Sequence, residues 1–303
     1  MSPFLRNAPD GPARFRRLLA DAASGDRPSS PVVLPGCYDA LGARLIEQAG
    51  FDAAYMTGFG ASASLLGRPD VGLLGLSEMA DHAARIVAAT DLPVIADADT
   101  GYGNPINVVR TVQAYERAGV AGLHIEDQVM PKRCGHMENK TVVPATEFEA
   151  KIRAAVEARR NPDLVIIART DARAPHDLDE ALNRARAARD AGADVLFVEA
   201  LQSQDELKLV AEELAGIPLL FNWAEGGKTP PLTYDEIAAL GFAMIIMPIS
   251  TLLVATRAMQ QVLARLKADG SPANAVADMP AFGEFTDLIG LPEIAELEQR
   301  FAG

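Results

Sequence analysis

The sequence predicts an α/β protein built as a (β/α)8 TIM barrel. Three observations carry that expectation: eight short apolar runs, amphipathic stretches between them that often end in glycine, and a polar or glycine-rich cluster after six successive runs.

The apolar runs lie at 32–34, 53–56, 93–96, 121–125, 164–168, 194–198, 217–221 and 243–247. Each is short and rich in Val, Ile and Leu, as strands covered on both faces of a parallel sheet must be. Apolar residues at helical spacing cover 40–49, 77–89, 108–118, 146–159, 178–191, 205–214 and 234–240. Gly50, Gly119, Gly192, Gly216 and Gly241 follow such stretches just before the next run, where a helix C-terminus favours glycine. Ser77 and Asp177 are the expected helix starts, and only Asp177 has an acidic residue, Glu180, three positions on. A doubly wound sheet is the competing architecture; the count of eight favours the barrel. A long helix is expected at 251–267, broken by Gly270-Ser271-Pro272, and another at 291–301 that has no strand of its own. The domain reading is therefore a barrel with an N-terminal helix over 1–270 and a helical extension over 271–303 that packs on a neighbouring subunit.

With 303 residues, 49% of them apolar, the chain can bury a barrel core or two smaller ones. Lys and Arg number 28 against 41 Asp and Glu, a net charge of −13. That balance excludes a generic nucleic-acid binder but leaves room for a local cationic pocket. Two cysteines, Cys37 and Cys134, are too few for a disulfide framework or a Cys-rich zinc site. No apolar run reaches the ~18 residues of a membrane span. Arg14, Arg16 and Arg17 lie near the start without the apolar run of a signal peptide. These features point to a cytoplasmic protein whose partner is a small molecule, not nucleic acid or membrane.

Chemistry in such a barrel sits at the carboxyl ends of the strands. There the sequence places Thr57-Gly58-Phe59-Gly60, Asp97-Ala98-Asp99, Glu126-Asp127, Arg169-Thr170-Asp171, Glu199, and Asn222 with Glu225. Asp97, Asp99 and Glu126 form an all-carboxylate set, suited to Mg²⁺ or Mn²⁺ rather than Zn²⁺. The same groups would also serve as helix caps or as partners of Arg169. The loop from Glu126 to Pro144 carries Lys132-Arg133-Cys134-Gly135-His136 and is long enough to act as a lid. Cations beside Cys134 would lower its thiol pKa from about 8.5 and let it move a proton near neutral pH. An exposed, incidental cysteine is the plainer alternative. Arg169 is the candidate to grip a substrate carboxylate with two prongs, or else to pair with Glu199 or Asp171. Cys37 reads as a packing residue, His124 as a hydrogen-bonder inside the barrel, and His82 and His176 as surface residues.

Asp97-Ala-Asp-Thr-Gly-Tyr-Gly, Ile125-Glu-Asp-Gln, Lys132-Arg-Cys-Gly-His and Ala168-Arg-Thr-Asp-Ala, in that order and spacing, resemble the isocitrate lyase/phosphoenolpyruvate mutase superfamily. The resemblance runs over nearly the whole chain, and the Cys134 loop is similar to the lyase branch. Pro35-Gly-Cys-Tyr-Asp-Ala, Ala172-Arg-Ala-Pro-His and Glu225-Gly-Gly-Lys-Thr-Pro resemble the 2,3-dimethylmalate lyase and petal death protein group. Pro248-Ile249-Ser250 is more similar to the 2-methylisocitrate lyases, which carry Thr-Glu-Phe-Gly where this chain has Ala224-Glu225-Gly226-Gly227. Trp223 is expected at a pocket wall, where it would limit the substituent on the substrate.

The resemblance implies a Mg²⁺-dependent homotetramer whose dimers exchange a C-terminal helix. It also implies retro-aldol cleavage of a 2-hydroxy di- or tricarboxylate to an α-keto acid and a carboxylate. Asp99, with Asp97 and Glu126 through water, would hold the ion. Backbone N–H groups of Thr57, Gly58 and Phe59 would cradle a carboxylate that Arg169 neutralises. Lys132, Arg133, His136 and Asn222 would face the developing enolate, with Gly135 and Glu199 also in the site, and Cys134 would be the general acid. Hydrolysis or decarboxylation of oxaloacetate is the alternative activity; a phosphonate-forming mutase or a silent metabolite-binding barrel is more distant.

Overall fold

The computed structural model describes Leu5 and residues 10–24, 31–135 and 139–302. The chain divides into two compact units, Asp10–Ser250 and the terminal pieces Met1–Pro9 with Thr251–Gly303. The division falls at Ser250, before the boundary read at Gly270, so the long last helix groups with the C-terminal helices.

In the first unit the order is α1 (Gly11–Ser24), β1 (Val32–Cys37), α2 (Ala40–Gln48), β2 (Ala54–Met56), α3 (Gly58–Leu66), α4 (Leu76–Val87), β3 (Val94–Asp97), α5 (Pro105–Ala118) and β4 (Gly122–Glu126). It continues with α6 (Ala145–Ala158), β5 (Val165–Thr170), α7 (Leu178–Asp190), β6 (Val195–Val198), α8 (Gln204–Glu213), β7 (Leu220–Asn222), α9 (Tyr234–Ala239) and β8 (Met244–Met247). The second unit carries α10 (Ser250–Asp269, from Thr251 on), α11 (Phe282–Leu288) and α12 (Leu291–Phe301).

The eight strands are parallel in the order β6-β5-β4-β3-β2-β1-β8-β7, and an isolated bridge between Leu196 and Leu219 joins the two ends into a barrel. Strand alternation divides the core in two. Leu34, Tyr55, Ile95, Ile167, Phe197, Leu220 and Ile246 belong to an inner cluster; Met56, Ala96, Leu123, Ile166, Leu196 and Phe221 belong to the layer packed with the helices. Phe15 and Leu19 of α1 join the inner cluster beside Ala53, Ala121 and Ala243, which precede their strands, so α1 covers the amino-terminal end of the barrel. Arg14 and Arg16 hold it there by donating to the carbonyls of Asp91 and Pro162.

Helix ends follow the sequence reading with one exception. The five glycines all have positive φ, and Gly119, at φ 84, is the left-handed C-cap of α5. Asp177 caps α7 by accepting from the Glu180 N–H at 2.8 Å, while the Glu180 carboxylate turns to Arg184. Ser77 is not a cap: α4 starts from Gly75, whose N–H donates to Glu78. No helix among the described residues is long and apolar enough to cross a membrane.

Candidate active site

Alternation also builds the site. Thr57, Asp97, Glu126, Arg169, Glu199 and Asn222 continue the inward-facing positions of β2 to β7 at their carboxyl ends. Pairing sets Asp97 opposite His124 and Glu126 opposite Arg169. The result is a cavity of about 250 Å³ lined by Thr57, Phe59, Asp97, Lys132, Cys134, Gly135, Arg169, Glu199 and Asn222 from the sequence reading. Tyr55, Asp70, Ala224, Glu225, Ile246, Pro248 and Ile249 complete the lining.

Lys132 is buried, with Nζ 2.6 Å from Asp70 Oδ2 and 2.7 Å from Asp99 Oδ1. Burial opposes its charge, but Asp99, Asp97 and Asp70 outweigh that and hold its pKa well above the ordinary lysine value. Burial pushes Asp99 up to about 6 against the pull of Lys132, and pushes Glu126 well above the usual carboxyl range against Arg169. Burial likewise opposes ionisation of Asp97, yet its carboxyl is held below the usual range. His124 is pushed down to about 4 by its own burial and is neutral at pH 7, so Lys132 and Arg169 are the cations that keep Asp97 ionised. His124 Nε2 shares a 2.8 Å hydrogen bond with Tyr55 Oη, as its place inside the barrel suggested.

The three carboxylates are adjacent but do not form a ready cage. Among the described residues no three His, Cys, Asp or Glu side chains are set to hold a metal directly. The Lys132 ammonium occupies the space between Asp99 and Asp70. The donor set nonetheless fits a hydrated divalent ion, held mainly through water, as Mg²⁺ prefers. Glu126 Oε1 is buried with no hydrogen-bond partner, and Asp99 Oδ1 faces Lys132 without hydrogen-bond geometry. Buried acceptors of this kind call for a cation or water.

Arg169 realises its ion-pair alternative in full. Nε and Nη2 fork onto Asp171 at 2.9 and 3.1 Å, with Glu126 at 3.3 Å and Glu199 at 3.4 Å, and the guanidinium stacks over Phe197 at 5.0 Å. The edge expected to grip a substrate is thus already on Asp171. Asn222 Nδ2 donates to Glu199 Oε2 at 3.1 Å.

Thr57 caps α3, whose first turn opens on the cavity. The Thr57 N–H donates to the Cys37 carbonyl, so the expected three-residue N–H cradle reduces to Gly58 and Phe59. Gly58 is needed because any Cβ there would strike the Asp97 carboxylate. A Cβ at Gly135 would strike Arg169 and Glu199, and the Gly135 carbonyl accepts from Lys140, which also pairs with Asp171 at 2.6 Å.

Other placements differ from the sequence reading. The Arg133 side chain is exposed and is not among the cavity's lining residues; its backbone is clamped by Gln128 instead. Trp223 also faces away: its Nε1 donates to the Leu232 carbonyl and its ring packs with the outer layer. His82 is buried against the Tyr38 carbonyl rather than on the surface. His176 is exposed, and Cys37 is fully buried. His136 lies outside the described residues. Asp70 and Tyr55 were missed: Asp70 sits in a loop without periodicity, whereas the inward register of Tyr55 beside Thr57 was a usable signal.

Fold and site together define a barrel enzyme with its acid–base and ion-pairing groups at the carboxyl ends of the strands. The chain belongs to the PEP mutase/isocitrate lyase superfamily: the family model described as phosphoenolpyruvate phosphomutase matches residues 24–267. It is 50% identical over 290 residues to a 2,3-dimethylmalate lyase of Eubacterium barkeri, covering 96% of this chain and 98% of that one. It is 41% identical over 289 residues to a 2-methylisocitrate lyase of Halalkalibacterium halodurans, covering 95% and 93%. Among solved structures, oxaloacetate acetylhydrolase with 3,3-difluorooxalacetate matches at TM-score 0.89 and 39% identity, covering 100% and 99%. Phosphonopyruvate hydrolase in complex with oxalate and Mg²⁺ matches at 0.84 and 32%, covering 95% and 99%.

Proposed function

We propose that this protein is a Mg²⁺-dependent carbon–carbon lyase that cleaves an alkyl-substituted 2-hydroxy dicarboxylate by retro-aldol chemistry. The observation that carries the reading is the convergence of Cys134 and Lys132 with Arg169, Asp97 and Glu199 on one cavity. Its similarity to the two lyases named above supports the same class.

Asp99, with Asp97 and Glu126 through water, would hold Mg²⁺, which when bound would supply Lewis-acid polarisation of the substrate oxygens. The start of α3 offers the N–H groups of Gly58 and Phe59 to a carboxylate. Arg169, fixed by Asp171, sets positive charge beside it without having to reorganise. Transfer of the C2 hydroxyl proton to a carboxylate of the acidic cluster lets the C2–C3 bond break and leaves the carbonyl of an α-keto acid. The electron pair passes to the departing carboxylate fragment as an enolate, which Lys132, Asn222 and His136 are suited to stabilise. Cys134 then gives its thiol proton to the new carbanion.

Charge selects the substrate class. Among the described residues the cavity presents two cations, Lys132 and Arg169, both already facing carboxylates. Phe59, Ala224, Ile246, Pro248 and Ile249 supply an apolar side. That combination favours a dicarboxylate with alkyl substituents over a tricarboxylate. The second reading, hydrolysis of oxaloacetate, is favoured by the structural match to oxaloacetate acetylhydrolase.

The apolar residues that α10, α11 and α12 leave exposed, among them Val254, Leu263, Phe282 and Phe301, support assembly through this unit, by helix exchange in a homotetramer.

The test is Mg²⁺-dependent α-keto acid release from malates bearing hydrogen, methyl or ethyl at C2 and C3, with 2-methylisocitrate and oxaloacetate alongside. Preferred turnover of dialkylmalates is expected. Activity on oxaloacetate alone would replace the lyase with a hydrolase or decarboxylase.

A further inference from the structure

The segment after β3 is held in a costly backbone conformation. Asp99 (φ 47), Gly101 (φ 79), Tyr102 (φ 57) and Gly103 (φ 146) all lie at positive φ. Such conformations persist in non-glycine residues only where the surroundings enforce them. Several contacts do so: Glu126 N–H donates to the Asp99 carbonyl at 2.8 Å, and Thr111 Oγ1 donates to the Gly101 carbonyl at 2.9 Å. Between them, Lys151 reaches in from α6, and its Nζ donates to the Thr100 carbonyl at 3.2 Å.

A lysine is a costly choice for that task. Its side chain is 4% exposed, and the carboxylate it pairs with, Glu147 Oε1, is 3.9 Å away on a side chain that is 42% exposed. Burying an ammonium for one backbone carbonyl has little value as packing alone, since an apolar side chain would fill the space without the desolvation cost. The position of the bond is informative: it fixes the Thr100–Gly101 peptide, one peptide beyond Asp99, between the held Asp99 and Gly101 carbonyls.

We propose that Lys151 is a positioning residue that holds the Asp99 carboxylate in place for the divalent ion, acting through the Thr100 carbonyl. This rests on Asp99 being an ion ligand, and the test separates the two claims. Mn²⁺ is titrated into the full-length protein without substrate, with electron paramagnetic resonance reporting the unbound ion. Lys151→Met is expected to weaken Mn²⁺ binding by about tenfold, the low end for loss of a group that orients a ligand, and to raise by a similar factor the Mg²⁺ concentration for half-maximal activity. Thr111→Val, which releases the neighbouring carbonyl, is expected to weaken binding in the same direction, and decides the matter if Lys151→Met does not fold. Phe148→Leu, a packing loss on the same helix, lowers Tm and leaves Mn²⁺ affinity unchanged. Wild-type affinity in Lys151→Met, or in Thr111→Val where that variant decides, overturns the positioning role. No Mn²⁺ binding by the wild type overturns the metal assignment and this inference with it.

Discussion

Lys132 and Asp70 form a buried ion pair, Nζ to Oδ2 at 2.6 Å, and both line the cavity, with Asp99 2.7 Å from the same Nζ. Asp70 thus balances a cation that Asp99 alone would otherwise face. Stranding one partner of a buried pair costs about 3–5 kcal/mol, and Asp99, which stays 2.7 Å from Lys132, reduces that cost here. Asp70→Asn is expected to lower Tm by several degrees and kcat/KM by on the order of 10²-fold, since a mispaired Lys132 lies where charge develops. Calorimetry and steady-state kinetics on the same preparation check both.

The two thiols differ sharply in exposure. Cys37 is fully buried, and burial, reinforced by Asp39, pushes its pKa up to about 12. Cys134 is half-buried at the cavity wall. Iodoacetamide at pH 8 is therefore expected to modify one thiol in the native protein, at Cys134, with loss of activity. Cys37 should react only after denaturation. Peptide mass mapping distinguishes the sites, and rapid native labelling of Cys37 would contradict the packing described above.

Asp171 ties Arg169 to Lys140, which in turn holds the Gly135 carbonyl. Burial opposes its charge, but Arg169 and then Lys140 outweigh it and hold the carboxyl far below the ordinary range. A carboxyl depressed in the folded state stabilises above its unfolded pKa, about 4. That contribution fades as pH falls through the lower folded value. The Tm gap between wild type and Asp171→Asn should be widest near pH 7 and narrow steadily below about pH 4. A gap that does not change with pH would mean that Asp171 is not ionised in the fold.

The barrel was legible because buried parallel strands must be apolar throughout, and because glycine marks helix ends such as Gly119. The polar clusters were legible because inward alternation carries each strand's register to its carboxyl end, from Ile95 to Asp97 and from Ile167 to Arg169. The same rule, applied to β7, would have sent Trp223 outward once Asn222 was placed inward. Arg133 was misplaced because adjacent residues of an irregular loop have no such register; only contacts such as the Gln128 clamp decide which side chain enters the cavity. Asp70 was hidden for a related reason, lying between α3 and α4 where no periodicity marks a buried face. The ion pairs that occupy Arg169 depend on distances across three strands, which spacing alone does not encode.

The central claim is C2–C3 cleavage with protonation by Cys134, and isotope labelling tests it most directly. The enzyme is incubated with Mg²⁺ and 2,3-dimethylmalate in ²H₂O, and the carboxylate product is analysed by NMR. The expected result is pyruvate and propionate, the propionate carrying a single deuterium of one configuration at its α-carbon, with Cys134→Ser slower by about 10²–10⁴-fold while folded and able to bind Mn²⁺. Cleavage by Cys134→Ser at the wild-type rate would remove that residue as the acid. No cleavage of any substituted malate by the wild type, with oxalate and acetate formed from oxaloacetate, would contradict the lyase itself.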